Sequence, residues 1–117
     1  MRAKPVVIAV LAAALLTAMS ASAADASSPY DQAIDTLDAY DDPRAVAQLR
    51  AAATSGDLRA QRLLGFMLLY GDRFFPGVRS DRTEALEWLR KAANRGDEAA
   101  AFVVRRADQR IVGTAPR

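Results

Sequence analysis

Apolar residues beyond residue 28 recur with helical spacing, and no segment alternates apolar and polar residues over the length of a strand. The first segment has Ser28 as a helix cap and Pro29 in the first turn. Its apolar residues follow an i, i+3, i+4, i+7 pattern: Tyr30, Ala33, Ile34 and Leu37. This spacing predicts a helix from Pro29 to Tyr40.

Four further helices are predicted, each of them beginning at an aspartate. The expected caps are Asp42, Asp57, Asp81 and Asp97, and glycines at 56, 71 and 96 mark three of the helix ends. Asp81 and Glu84 together have the spacing of a capping box. The helix after Asp57 is apolar on most of its circumference, which predicts that it is buried between neighbours. The fold class predicted from these patterns is all-α, with five helices.

The chain repeats itself at a constant offset of 40 residues. Comparing positions 45 to 65 with 85 to 105 gives eight identical pairs: Ala45/Ala85, Leu49/Leu89, Arg50/Arg90, Ala52/Ala92, Ala53/Ala93, Gly56/Gly96, Asp57/Asp97 and Ala60/Ala100. A unit of this kind predicts a short right-handed α-solenoid of antiparallel helix hairpins. Gly65 lies inside a predicted helix, where glycine costs about 1 kcal/mol relative to alanine. We therefore expect a neighbouring side chain to need the space, and Trp88 is the candidate.

One stretch of this pattern resembles the Sel-one-like repeat, a relative of the tetratricopeptide repeat. The resemblance extends from about Ala45 to Val104 and rests mainly on Ala60, Leu64, Gly65, Tyr70, Gly71, Ala85, Trp88, Ala92, Ala93 and Gly96. It implies a scaffold for binding other proteins, with Tyr70 and Trp88 in the core. The connection between Gly71 and Gly77 is longer than is usual in the family. Arg105 replaces a glycine of the repeat, which suggests that the fifth helix caps the array.

The first 23 residues have the pattern of a secretory signal peptide. Basic residues near Met1 precede an apolar run from Pro5 to Met19, and small residues end in Ala21-Ser22-Ala23. The apolar run is shorter than a membrane-spanning helix needs. The predicted organisation is a signal peptide at 1–23, a linker at 24–28, a helical repeat domain at 29–112 and a disordered tail at 113–117. The predicted location is periplasmic or secreted, and the absence of cysteine favours a bacterial periplasm, because small extracellular domains often need disulfides.

Charge changes the picture once cleavage after Ala23 is considered. The whole chain has 16 basic and 14 acidic residues, and Arg2 and Lys4 are removed with the signal peptide. The resulting mature chain is neutral, so we do not expect it to bind nucleic acid. Its aspartates are concentrated between residues 25 and 42. This acidic head either docks on the more basic body or forms a binding surface of its own.

The residue types that are absent restrict catalysis. The chain has no histidine and no cysteine, which excludes the common catalytic triads, thiol nucleophiles and zinc sites. The remaining carboxylate pairs are Asp41 with Asp42 and Glu84 with Glu87, and helix capping or a solvated face accounts for both pairs. We therefore expect no enzymatic activity, no cofactor and no metal site.

Candidate contact residues lie in the lengthened connection and near the end of the chain. Phe74 and Phe75 either anchor a partner or cover the core, and the basic candidate Arg73 precedes them. Arg105 and Arg106 belong to a basic end, which is either a contact surface or a solvated cap. The leading hypothesis is an exported adaptor or regulator that binds another protein. The alternatives are an immunity protein that neutralises a secreted effector and, more remotely, a carboxylate-dependent cell-wall hydrolase. Two hairpins are few for a repeat array, so a homodimer is also considered.

Overall fold

A computed structural model describes residues 27–113, with side chains described for residues 27–110. The described chain forms five α-helices and contains no strand. The helices are α1 (Pro29–Asp38), α2 (Asp42–Thr54), α3 (Leu58–Tyr70), α4 (Arg82–Asn94) and α5 (Glu98–Gly113), and a 3-10 turn spans Gly71–Arg73. The predicted all-α class is confirmed. The predicted signal peptide lies outside the described residues, as do residues 24–26 and 114–117.

Each helix packs against the next one along the chain, from α1 on α2 to α4 on α5. The first residues of α2 and α4 are 40 positions apart, and so are those of α3 and α5. The sequence repeat is therefore a structural repeat of two helix hairpins, preceded by α1. None of the helices described here is both long enough and apolar enough to cross a membrane.

The core extends through both hairpins and consists of large aliphatic side chains between small ones. Leu49, Leu64, Met67 and Leu89 are the largest fully buried side chains. Alanines at equivalent positions of the two hairpins are buried as well: Ala45 and Ala85, Ala52 and Ala92, Ala60 and Ala100. Methyl side chains at a helix contact allow the two axes to approach closely. The repeated alanines thus explain why both hairpins share one packing geometry.

Gly65 is buried where α3 crosses α4. A Cβ atom at this position would lie 2.6 Å from Leu89 Cγ and 3.2 Å from the Ala85 carbonyl oxygen. Leu89, and not the predicted Trp88, is therefore the side chain that occupies the space. Trp88 is half-buried one position earlier on α4, and its indole Nε1 donates a hydrogen bond to Glu84 Oε1 at 3.2 Å. Successive helical residues point about 100° apart, so only one of the two can face the glycine.

Two helix boundaries in the first third of the domain differ from the prediction. Asp41, and not Asp42, caps α2, and its Oδ1 accepts a hydrogen bond from Arg44 N at 3.3 Å. Helix α1 ends at Asp38, before the predicted end at Tyr40. Tyr40 has a φ of 61°, a left-handed conformation that a helix cannot contain, and its side chain is 93% exposed.

The other caps follow the sequence prediction with one exception. The carboxylates of Asp57 and Asp97 accept hydrogen bonds from backbone N–H groups of α3 and α5. Asp81 accepts one from Glu84 N at 3.0 Å, but the Glu84 carboxylate binds Arg50 and Trp88. The reciprocal half of the predicted capping box is therefore absent, because an ion pair with α2 takes its acceptor.

Polar contacts connect the two glycine-aspartate turns. Arg95, beside the second turn, donates from Nη1 to the Gly56 carbonyl oxygen of the first turn at 2.6 Å. Arg62 of α3 donates from Nη1 to Asp97 Oδ2 at 3.1 Å, and the Asp97 side chain is 6% exposed. Buried charges need such partners. These contacts fix the second hairpin against the first at the turns, away from the long α3–α4 connection.

Candidate functional site

The connection between α3 and α4 is an ordered loop. Asp72 Oδ1 accepts a hydrogen bond from Gly77 N at 2.7 Å, and the Gly71 carbonyl oxygen accepts from Phe75 N at 2.9 Å. Phe75 is half-buried and packs against the core, whereas Phe74 is 60% exposed. The two roles considered from the sequence, covering the core and remaining exposed, are thus divided between neighbouring phenylalanines.

The loop forms one wall of an apolar groove that α3 and α5 complete. The groove has a volume of about 690 Å³, and we call it the aromatic groove. It is lined by Leu63, Phe66, Tyr70, Phe74, Phe75, Ala99, Phe102 and Val103. Tyr70 and Phe74 meet edge to face, with ring centroids 5.4 Å apart. Tyr70 is 46% exposed, so its predicted place in the core is wrong.

A second, basic cavity of about 540 Å³ adjoins the aromatic groove. The two cavities share Tyr70, Phe102 and Val103 as wall residues. Four arginines line the basic cavity and form what we call the arginine cluster: Arg73, Arg82, Arg106 and Arg110. Among the residues that the structure describes, no carboxylate lines this cavity. Apolar and cationic surface are therefore continuous across the α3–α5 face.

Residues 58–97 match the family model of the Sel1 repeat. The chain carries a Sel1 repeat. The resemblance inferred from the sequence is thereby confirmed for residues 58–97, a segment that begins with α3 and ends at the cap of α5. Its predicted extent from Ala45 to Val104 stays a prediction outside this segment. No curated protein and no solved structure matches the chain significantly. Sel1 repeats generally mediate protein–protein interactions and are typically not catalytic.

The aromatic groove extends beyond the matched Sel1 repeat. Helix α3 and the loop belong to the matched segment, whereas Phe102 follows it in the sequence. The structure brings together four of the predicted contact residues: Arg73, Phe74, Phe75 and Arg106. The fifth, Arg105, is exposed and lines neither cavity. Their role in binding a partner stays a prediction.

Sequence reasoning missed three members of this surface, Tyr70, Phe102 and Arg82. The sequence does contain a signal for Phe102. On α5 the core stripe consists of Ala100, Val103, Val104 and Ala107, and Phe102 stands outside it. A large aromatic residue outside the apolar stripe of a helix is therefore a candidate for an exposed contact residue.

Each carboxylate pair considered for acid–base chemistry has one member with a structural role, since Asp41 caps α2 and Glu84 binds Arg50. Arg50 binds both carboxylate oxygens of Glu84, with Nε to Oε1 at 2.8 Å and Nη2 to Oε2 at 3.1 Å. This hydrogen bonding to Arg50, with a contribution from Trp88, lowers the pKa of Glu84. A general acid at neutral pH needs a raised pKa instead. No group of carboxylates in the described part of the chain is arranged to hold a metal ion.

The acidic head docks on the Sel1 repeat through one arginine of α3. The Arg59 guanidinium lies 4.2 Å from the centroid of the Tyr30 ring, and its Nη1 is 4.0 Å from Asp31 Oδ1. Asp31 also completes a capping box with Ser28, and these hydrogen bonds lower the pKa of the Asp31 carboxyl. Other aspartates of the head remain exposed: Asp35, Asp38 and Asp41. Docking therefore explains part of the acidic segment and leaves its outer face in solvent.

Proposed function

We propose that this chain is an exported protein-interaction module that holds its partner in the aromatic groove. The observation that supports this most directly is the placement of the exposed aromatic residues. Within the described residues the exposed large apolar side chains are Tyr40, Tyr70, Phe74 and Phe102, and three of these four line one groove. Exposing apolar surface is unfavourable, and a contiguous aromatic patch is typical of an interface that a partner covers.

The Sel1 repeat supports the same conclusion from the fold, because such repeats generally bind proteins. The location outside the cytoplasm rests on the predicted signal peptide at 1–23. N-terminal sequencing of the chain isolated from its native cell is expected to begin at Ala24. A chain that keeps Met1 in a cytoplasmic fraction would contradict export and leave protein binding untouched.

The binding role is tested by affinity capture from an envelope extract of the source cell with the tagged chain. We expect a stoichiometric protein partner with the native sequence and at least a tenfold loss with the double variant Phe74→Ser, Phe102→Ser. Both rings are more than half exposed, so the substitutions are expected to leave the fold intact, which circular dichroism would verify.

The matched control is Tyr40→Asn, which removes an exposed aromatic ring far along the chain from the groove. Asparagine tolerates the left-handed backbone of Tyr40, so the control adds no new strain. Equal capture by all three proteins, or no specific partner with the native chain, would overturn the proposal. A captured toxin-like effector would specify an immunity role for the module.

A further inference from the structure

We infer that the segment bound in the aromatic groove is an acidic peptide, with apolar side chains in the groove and carboxylates on the arginine cluster. This inference rests on the proposed function and adds the chemistry of the partner. It is drawn from charge complementarity, because four arginines line the cavity that continues the groove and none of its described lining residues is a carboxylate.

The geometry of α5 joins the two halves of the surface. Phe102, Arg106 and Arg110 follow one another at intervals of four residues and all line the basic cavity. A rise of 1.5 Å per residue places successive members roughly 6 Å apart along the helix. A peptide on this face would therefore meet an aromatic ring first and a guanidinium about one helical turn later. An apolar anchor with acidic residues about two to four positions away satisfies that spacing.

Arginines at the edge of the groove have guanidinium N–H groups that can donate hydrogen bonds to a carboxylate. The ion pairs of the described side chains use Arg50, Arg59, Arg62 and Arg90, and none uses Arg73, Arg82 or Arg106. The Arg73 guanidinium lies 5.5 Å from the Phe74 ring centroid, and that of Arg106 lies 6.0 Å from the Phe102 ring centroid. Each exposed phenylalanine thus has an arginine beside it.

A guanidinium that rests on an aromatic ring keeps its N–H edge available for a carboxylate. Such pairs are commonly bidentate, and the planar group loses little conformational entropy when it binds. The same guanidinium group then contacts the apolar anchor of the peptide through its planar face and a carboxylate of the peptide through its N–H edge. Arg73 and Arg106 would act in this way from opposite walls, one from the loop and one from α5.

The shape of the surface favours a peptide over an anionic membrane. The aromatic side chains line an open groove between α3, the loop and α5, so a peptide segment lying along it can contact all three elements. An extended or helical segment fits between the walls, and grooves of this kind commonly bind peptides through a few apolar anchors. A membrane or a second copy of the chain is therefore treated as a competing result of the test.

The probes are three labelled peptides of about a dozen residues, a length that grooves of this kind typically bind. One combines phenylalanine anchors with glutamates at the spacing given above; the second replaces glutamate by lysine, and the third replaces phenylalanine by serine. Fluorescence anisotropy is expected to show the first binding at least about tenfold more tightly than either of the others. Its affinity should fall as salt is raised.

The protein variants are Arg73→Gln with Arg106→Gln, and Arg105→Gln as the matched control. The double variant should bind the acidic peptide about tenfold more weakly and lose most of the salt dependence. The control removes the same kind of charge from the residue next to Arg106, outside both cavities, and should bind as the native chain does.

Equal affinity for the acidic and basic peptides, or binding of neither, would overturn the inference. So would arginine-dependent binding to anionic phosphatidylglycerol vesicles without peptide binding, or groove-dependent dimerisation in sedimentation. The proposed function is judged separately by the natural partner. If Phe74→Ser with Phe102→Ser abolishes its capture and Arg73→Gln with Arg106→Gln does not, protein binding stands and the acidic partner is rejected.

Discussion

Helices α3 and α5 occupy equivalent positions in the repeat and have different surroundings. Helix α3 packs between α2 and α4, whereas α5 packs against α4 at the end of the described array. Buried Leu68 of α3 corresponds to exposed Asp108 of α5, and buried Gly65 corresponds to exposed Arg105. The residues that build the hairpin are thus repeated, while these two buried positions of α3 have polar, exposed counterparts on α5.

The same comparison explains why the groove lies where it does. Arg62 of α3 reaches the turn of the next hairpin and binds Asp97, and its counterpart on α5 is Phe102. No further turn follows Phe102 within the described residues, so its ring lines the groove instead. Within the described residues no further hairpin packs on this face of α5, and the two helices can be distinguished by matched substitutions.

The largest difference is expected from truncating equivalent core residues. Leu64→Ala removes a fully buried side chain of α3 and should lower the free energy of unfolding by about 2–5 kcal/mol. Val104→Ala, at the matching position of α5, removes two methyl groups from a half-buried side chain and should cost about 1 kcal/mol. Urea unfolding followed by the fluorescence of the single tryptophan, Trp88, measures both. Equal losses would mean that α5 is as deeply integrated as α3.

A smaller difference is expected at the two glycine-aspartate turns. Asp97→Ala removes the cap of α5 and leaves Arg62 without its partner, so a loss of about 2 kcal/mol is expected. Asp57→Ala removes the corresponding cap of α3, whose side chain is 24% exposed and pairs locally with Arg59, and should cost about 1 kcal/mol. Thermal unfolding of the two variants provides the comparison. A larger loss for Asp57→Ala would show that the contact between turns contributes little.

Gly65 and Arg105 form the third pair. Gly65→Ala forces a methyl group against Leu89, and the overpacking cost of about 1–3 kcal/mol equals or exceeds the helix-propensity gain of about 1 kcal/mol. The net destabilisation should be about 1 kcal/mol. Arg105 is exposed, so Arg105→Ala should change the free energy of unfolding by less than about 0.5 kcal/mol. A stabilised Gly65→Ala variant would show that Leu89 moves aside without cost.

Much of this fold could be predicted from the sequence, because its determinants are local or periodic. Helix spacing, aspartate caps and the 40-residue offset are each visible within one segment or by comparing two. The identity of the residue facing Gly65 was not predictable in this way, since it depends on how α4 is rotated against α3. Burial of Tyr70 was predicted from its repeat position, and it failed because the neighbouring helix, α5, leaves the ring at the edge of a groove.

The candidate site was predictable in part for the same reason. The loop residues Arg73, Phe74 and Phe75 are adjacent in sequence, and the unusual length of their connection made them candidates. Phe102 and Arg82 belong to other elements, and only the packing of α3, α4 and α5 brings them to the same face. A surface assembled from several helices requires the angles between those helices, which helical spacing does not specify.

The smallest predicted difference concerns the equivalent arginines Arg50 and Arg90. Arg50 binds Glu84 of the next hairpin through two hydrogen bonds, while Arg90 reaches Asp108 of α5 through one at 3.1 Å. Both pairs are accessible to solvent, so Glu84→Gln should cost about 0.5–1 kcal/mol and Asp108→Asn about 0–0.5 kcal/mol.

The pH dependence of the free energy of unfolding gives a further test of the ion pair between Arg50 and Glu84. Arg50 lowers the pKa of Glu84 in the folded chain. The ionised carboxylate therefore stabilises the fold at pH values above 4.5, the ordinary pKa of this side chain. This contribution is lost as the pH falls through the lowered pKa. The stability difference between the native chain and Glu84→Gln should therefore be full above about pH 5 and shrink in more acidic solution. A difference that is independent of pH would mean that Glu84 acts through the geometry of its hydrogen bonds to Arg50 and Trp88 and not through its charge.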